Sequence, residues 1–397
     1  MYSIPTFTVI GISDSHTPLL TPEAKEAIKN ASCFSGGKRH HEIMSAFLPE
    51  NHKWIDITVP LANVFDQYRT FNAPIVVFAS GDPLFFGFAA TLQREFPGSQ
   101  IKTHAWFNSL QTLAHRVGLP YQSMRNVSLT GRPWHDFYAA LISGEPLIGV
   151  LTDKHHTPAA IASKMVEYGY SNYLMHIGEN LGNKSKERIT TMKLQEAANS
   201  SFDSLNCVIL HQTEYRNRFF GIPDAEFHHL PGRERMITKM PIRLLDLSLM
   251  GIRNRHTLWD IGFCTGSVSI EAKMQNPALQ VVAFEIRPES EELIKLNMRK
   301  FGVPGIDYNI GDFSQCDISA YPCPDAVFLG GHGGKLSKIL TIIDSVLLPG
   351  GVIVFNSVSS ESLNDFRNAI TRLRRKITEE HTIHLDSFNP ITVIKAQ

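Results

Sequence analysis

Short runs of β-branched and aromatic residues recur along the chain, separated by stretches in which apolar positions follow a helical period. In the first half they read "FTVIGI" from Phe7, "PIVVFAS" from Pro74, "PLIGVLT" from Pro146 and "NCVILH" from Asn206. In the second half they read "TLWDIG" from Thr257, "QVVAFEI" from Gln280, "DAVFLGG" from Asp325 and "GVIVFNSV" from Gly351. Alternation of this kind predicts βαβ units and mostly parallel sheets, an α/β protein. Between the halves, from Thr213 to Glu234, the text "TEYRNRFFGIPDAEFHHLPGRE" loses periodicity and gathers Gly, Pro, His and charge. The expected organisation is therefore a domain over 1–212, a linker over 213–231 and a second domain over 232–397. No internal repeat relates the halves.

Length supports that division, since 397 residues with 43% hydrophobic content exceed what one core usually serves. Lys plus Arg and Asp plus Glu both number 38, so the chain has no global basic field to draw it onto nucleic acid. Any polyanionic ligand must be met locally. The five cysteines, Cys33, Cys207, Cys264, Cys316 and Cys323, show no metal-like spacing, which favours reduced thiols and no metal site. The start "MYSIPTFTVIGI" has no basic n-region, and the apolar runs are far shorter than the ~18 residues that span a bilayer. A soluble, cytoplasmic protein is expected.

The stretch "DIGFCTGSVSIEA" places an acid, Asp260, at a strand end, followed by Gly262 and Gly266 and then by residues that can open a helix. Glycine serves where the backbone turns sharply and must approach a ligand closely. At the end of the next strand stands Glu285, where a carboxylate can accept both hydroxyls of a ribose. A third strand, "IDYNIG", ends in Gly311 and Asp312, and Asp312 can face an adenine amino group. NAD and S-adenosyl-L-methionine both present an adenosine to such a crevice. The turn "GFCTGS" lacks the third glycine that seats a pyrophosphate against a helix N-terminus, so the methionine-bearing nucleoside fits better.

With "ITKMPIRLLDLSLM", "VVAFEIRPES", "LNMRKFGVPGI" and "LLPGGVIVFNSV", this region resembles the methyltransferase and decarboxylase half of the precorrin-6Y C5,15-methyltransferase family, from Gly232 to Gln397. The resemblance implies a Rossmann-like class I fold that uses S-adenosyl-L-methionine. The family usually reads G-x-G-x-G at the turn, so Cys264 stands where glycine is expected. Either it tolerates the backbone angle there or it is a catalytic thiol, although no activating group is evident.

In the first half, "FASGDPLFFGFAATL" puts Gly81-Asp82-Pro83 after an apolar strand, with Phe85 close behind. Together with "SGGKRHHE", "NSLQTLAHRVGLPY", "NVSLTGRP", "GVLTDKHHTPAAIA" and "GENLGNKSKERIT", this order resembles the tetrapyrrole methylase fold, more narrowly its C5-methylating member, over Thr6 to Gln212. Carried over residue by residue, the resemblance implies cofactor contacts at Gly81, Asp82, Pro83 and Phe85, with Ser109, Leu110 and Thr152 nearby. Two departures are "GISDSH", where the family has a glycine-rich loop, and Thr130-Gly131-Arg132, where it often reads H-G-R.

Methyl transfer from a sulfonium needs alignment and exclusion of water more than a strong base, which suits a chain without a triad or paired carboxylates. A tetrapyrrole substrate bristles with carboxylates, so basic side chains should rim each cleft. Candidates are Lys38, Arg39, His40 and Arg132 in the first domain, and Arg233, Arg235, Lys239 and Arg243 in the second. Thr238, Lys239 and Arg243 match the family's motif positions, with Lys239 and Arg243 among the catalytic candidates, and the acid for decarboxylation is either a histidine, for which His332 in "LGGHGG" is the candidate, or the ring's own nitrogen. The resemblance implies a bifunctional enzyme of corrin-ring synthesis and a homo-oligomer. The rival readings are the cobalt-precorrin enzyme of the anaerobic route, an RNA or protein methyltransferase fusion, and an S-adenosyl-L-methionine sensor.

Overall fold

The computed structural model describes residues 5–71, 73–385 and 389–397. The chain forms two compact units, the first comprising Met1–Arg132, Pro146–Ser163 and Tyr173–Thr213, and the second the remaining segments. Both are α/β, as the alternation predicts.

The first unit contains two five-stranded sheets. One holds β1 (Phe7–Ile12), β2 (Cys33–Gly36), β3 (Lys53–Asp56), β4 (Ile75–Ser80) and β5 (Ile101–His104), all parallel, in the order β3-β2-β4-β1-β5. Its central strand β4 is a continuous apolar run because both faces are covered. Ile75 and Val77 enter one core with Phe7 and Val9, whereas Val76 and Phe78 enter another with Ile10 and Phe34. The second sheet holds β6 (Arg125–Ser128), β7 (Leu147–Leu151), β8 (Tyr173–Glu179), β9 (Arg188–Lys193) and β10 (Asn206–Gln212), in the order β6-β7-β10-β8-β9. Only β6 and β7 run parallel, and the remaining pairs are antiparallel.

The second unit has one seven-stranded sheet. It is built from β11 (Thr257–Ile261), β12 (Gln280–Glu285), β13 (Ile306–Ile310), β14 (Ala326–Leu329), β15 (Val352–Ser357), β16 (Ile377–Ile383) and β17 (Ile391–Ala396). The order is β13-β12-β11-β14-β15-β17-β16, with β17 antiparallel to both its neighbours. From β11 the chain winds outward to β13 and then crosses to β14, so the winding reverses between β11 and β14. In doubly wound sheets such a reversal opens a crevice at the carboxyl ends of the strands. Leu258 packs on one face of the sheet, and Trp259 and Ile261 on the other.

The segment expected to be a linker is folded from Ile222 onward. Ile222, Phe227 and Leu230 are buried, although the only regular element there is the short turn Asp224–Glu226. Two buried side chains satisfy the irregular backbone: Glu271 accepts the Ile222 N–H at 2.7 Å, and Asn297 accepts the His228 N–H at 2.8 Å. Among the described residues no helix is long and apolar enough to cross a membrane.

Candidate cofactor and substrate sites

In the first unit the carboxyl ends of β1 and β4 are pressed backbone to backbone. Gly81, directly after β4, has φ +63° and donates its N–H to Ile12 O at 2.9 Å. A Cβ on Gly81 would lie 2.8 Å from Asn108 Cα, so the turn accepts only glycine. Asp82 closes the turn by accepting the Leu84 N–H at 2.9 Å. Asn108 caps the helix Ser109–Val117 in a reciprocal box with Gln111.

These elements border a cleft of about 820 Å³, within the range of small-molecule sites. Of the residues expected from sequence, Gly81, Phe85, Ser109, Arg39 and His40 line it. Asp82, Pro83, Lys38 and Arg132 stand outside the lining. Leu110 is a fully buried core residue. Thr152 spends its hydroxyl on Asn206, donating at 2.7 Å. The cleft also draws in Trp106, Phe107, Asn108, Arg116, Lys184 and Asn206, which the sequence does not mark as site residues. The capping pair Asn108 and Gln111 was the available signal for part of this set. Arg39 is held at the cleft by Ser80 at 2.8 Å and by Asp14 at 3.5 Å. Burial, with Arg39 beside it, pushes the neighbouring His40 down to about 4, so that ring is neutral at physiological pH.

In the second unit the crevice is floored by the expected turn. Gly262 has φ +82°, and a Cβ there would lie 2.6 Å from Gly331 N, so the two strand ends flanking the reversal touch through glycine. Gly266, with φ +74°, caps the helix Ser267–Gln275. Cys264 is itself left-handed, at φ +48°. Its N–H donates to Glu285 Oε2 at 2.9 Å and its thiol to Met236 O at 3.1 Å. Burial, reinforced by Glu285, pushes the thiol up to about 11, which keeps it protonated and speaks against a nucleophile.

Glu285 is almost fully buried. Its Oε1 accepts the backbone N–H groups of Ile286 and Arg287 at 2.9 and 3.1 Å, and the Arg287 guanidinium at 2.8 Å. Asp260 is fully buried and accepts both Ser269 donors through Oδ2, while its Oδ1 has no hydrogen-bond partner among the described residues. Burial raises its carboxyl to about 7. At the third strand end Gly311 donates its N–H to Glu285 O at 2.8 Å. Asp312 is engaged by the Ser314 N–H at 2.9 Å and by Lys335 at 2.5 Å, so both its oxygens are taken. His332 follows β14 with its ring 6.0 Å from that of Phe355. Its Nδ1 accepts the Gly334 N–H at 3.2 Å, which leaves the ring proton on Nε2.

Arg243, expected at the rim of the crevice, does not stand there. It is fully buried, its Nε donates to Glu271, and its other nitrogens donate to Asp224, Thr238 O and Ile222 O. With these donors engaged inside the protein, it ties the segment 222–238 to the helix carrying Glu271. The Thr238 carbonyl serves the same knot. Lys239 is partly exposed, with Nζ 3.6 Å from Asp224. Arg233 and Arg235 are exposed.

The left-handed turn gives a test. Cys264→Gly removes a side chain from a conformation that costs an L-residue roughly 1–2 kcal/mol, against roughly 0.5–1 kcal/mol of added chain entropy. Stability is expected to change by less than about 1 kcal/mol in a denaturant melt, with cofactor affinity kept or tightened. Loss of methylation with cofactor still bound would make the thiol part of the chemistry.

Residues 231–395 match the family model described as Precorrin methyltransferase domain, and residues 6–198 match that of Tetrapyrrole (Corrin/Porphyrin) Methylases. A precorrin-6Y C(5,15)-methyltransferase [decarboxylating] of Sinorhizobium sp is 33% identical over 364 residues, covering 90% of this chain and 86% of the relative. Two shorter proteins of Salmonella typhimurium divide the match between them. A cobalt-precorrin-7 C(5)-methyltransferase is 32% identical over 52% of this chain and 98% of its own. A cobalt-precorrin-6B C(15)-methyltransferase (decarboxylating) is 36% identical over 34% of this chain and 69% of its own. Because the first of these similarities runs through both units at that level of identity, the chain belongs to the family of precorrin-6Y C(5,15)-methyltransferases (decarboxylating).

Proposed function

We propose that the first unit methylates C5 of precorrin-6Y, and that the second methylates C15 and removes the carboxyl group of the C12 acetate. The observation that carries this reading is the division of the chain's similarity between a C(5) and a C(15) enzyme, both found together in one relative. S-adenosyl-L-methionine, when bound, supplies a methyl group already activated on a sulfonium.

The residues present fit that ligand. Gly81 and Gly262 each sit where a Cβ would collide with neighbouring backbone, so the main chain is bare at both strand ends. In the first unit Gly81, Phe85 and Ser109 hold the cofactor, and Arg39 with Lys184 meets substrate carboxylates. In the second, Gly262, Cys264 and Gly266 present backbone, and Asp260 offers its unpartnered Oδ1 to a donor. Glu285 accepts the ribose hydroxyls once Arg287 releases Oε1, and Asp312 reaches the adenine once Lys335 releases Oδ2. Thr238 and Lys239 face the ring's acid arms.

Alignment and water exclusion are what these residues provide, since the electron-rich ring carbon needs no strong base. In the decarboxylation the bond from the C12 methylene to its carboxylate breaks, its electron pair passes into the conjugated ring, and a proton returns to carbon. His332 holds a proton at Nε2 beside that step.

The five free thiols fit a reducing, cytoplasmic setting. Self-association belongs to the same proposal and is read by sedimentation. The cobalt-precorrin relatives on both halves favour a second reading, a ring that already carries cobalt. Incubation with S-adenosyl-L-methionine and either metal-free precorrin-6Y or its cobalt form decides between them. The metal-free ring is expected to gain two methyl groups and lose one carbon dioxide by mass. Turnover of the cobalt form alone would overturn that choice.

A further inference from the structure

Beneath the second crevice lies a polar group that the reaction as described does not use. Asp246, on the helix Met240–Met250, is fully buried. Asn356, the penultimate residue of β15, donates from Nδ2 to Asp246 Oδ2 at 2.8 Å. The remaining oxygens of the pair, Asp246 Oδ1 and Asn356 Oδ1, are both buried and have no hydrogen-bond partner among the described residues. A carboxylate oxygen and an amide oxygen can only accept, so two such atoms shut away from water are costly as they stand. The Nδ2 to Oδ2 hydrogen bond supplies one of the two contacts of an acid–amide ring. One proton on Asp246 Oδ1, donated to Asn356 Oδ1, satisfies both atoms and closes a two-bond ring.

We propose that Asp246 is a neutral carboxylic acid closed in a cyclic pair with the Asn356 amide, and that it acts as a positioning residue for the chemistry of the second unit. Burial independently pushes this carboxyl well above the usual carboxylate range. The charged groups around it are few. Arg243, one turn earlier on the same helix, is committed to Glu271 and Asp224, and Asp260 adds a second acid from β11. Strand β14 contributes no charge, and Lys395 of β17 is held by Glu379.

The functional consequence follows from where Asn356 sits. It is partly exposed at the carboxyl end of β15, next to the Phe355 against which His332 packs. The closed ring fixes this amide at the edge of the crevice. Loss of the Asp246 proton sets two acceptor oxygens against each other and turns the amide out of place, so activity falls on the alkaline side.

The kinetic arm of the test rests on the reading of this unit as the C15-methylating one, and the infrared arm does not. Because the Asp260 carboxyl, raised to about 7, contributes a band of its own at neutral pH, the infrared reference is the Asp260→Asn chain, in which a protonated-carboxyl C=O band is expected at neutral pH. On that background the band should vanish when Asp246→Asn is added and shift when Asn356→Ser is added. No band in Asp260→Asn, or one that ignores Asn356→Ser, would overturn the pair. In C15 methylation, Asp246→Ala should lower kcat by about tenfold or more with KM for the cofactor little changed. Asp246→Asn, which can close the same ring as an amide pair, should restore kcat and abolish the alkaline limb. A folded Asp246→Asn as inactive as Asp246→Ala, or one that keeps the wild-type alkaline limb, would overturn the positioning role. If the band is present but the wild type yields no C15 product, the substrate reading fails and the acid–amide pair stands.

Discussion

Arginine at position 81 is expected to abolish C5 methylation while C15 methylation and decarboxylation continue. Gly81 is left-handed, and even a methyl group there meets Asn108 Cα at 2.8 Å and Phe107 O at 3.1 Å. The backbone conformation alone costs an L-residue roughly 1–2 kcal/mol, and a long cationic side chain can escape the collision only by entering the cleft. Misplacing a bound donor by about 1 Å costs roughly 100-fold, so a loss of at least that size is expected. Mass and NMR of the product should show a ring methylated at C15 alone. Equal loss of both activities in a folded Gly81→Arg protein would count against two separate sites.

The second large effect concerns Glu285. Its carboxylate is nearly inaccessible, receives three backbone N–H groups, and pairs with Arg287. Those donors fix it at the end of β12, and in the proposed ribose role it accepts two hydroxyls in place of Arg287. Glu285→Ala deletes charge-assisted hydrogen bonds worth roughly 1.5–3 kcal/mol each. It also leaves the Cys264 N–H unpaired. Cofactor affinity in the second unit should fall by well over tenfold, and by less in Glu285→Gln, which keeps the shape. Calorimetry showing Glu285→Ala within twofold of wild type would remove the ribose role.

Much of this is legible in the sequence because strand ends advertise themselves. The runs "TLWDIG" and "QVVAFEI" end in residues whose neighbours must be glycine or acid, and β11 and β12 do end beside Gly262 and at Glu285. The third strand, "IDYNIG", is β13. The left-handed angle at Cys264 could be anticipated from the glycine usual at that position.

Arg243 was not legible. A cation beside an apolar helix face reads equally well as a substrate anchor or as a buried tie, and only the positions of Asp224 and Glu271 in space decide it. The strap from Ile222 to Leu230 is hidden for a related reason. Its Pro, His and acidic content conceals three buried apolar residues, because distant side chains rather than a local ladder satisfy its backbone. Arg116, Lys184 and Asn206 come from separate segments, so no local motif announces their meeting at the cleft. Asp246 leaves one trace in the sequence, a single acid inside the apolar run "LLDLSLM".

The proposed function requires one chain to hold two independent S-adenosyl-L-methionine sites. Titration calorimetry of the full chain with S-adenosylhomocysteine tests it directly, using the wild type, Gly81→Arg and Glu285→Ala. Two sites per chain are expected in the wild type and one in each variant, with the surviving site unchanged in affinity. A single site in the wild type, or both sites weakened together by either substitution, would contradict it.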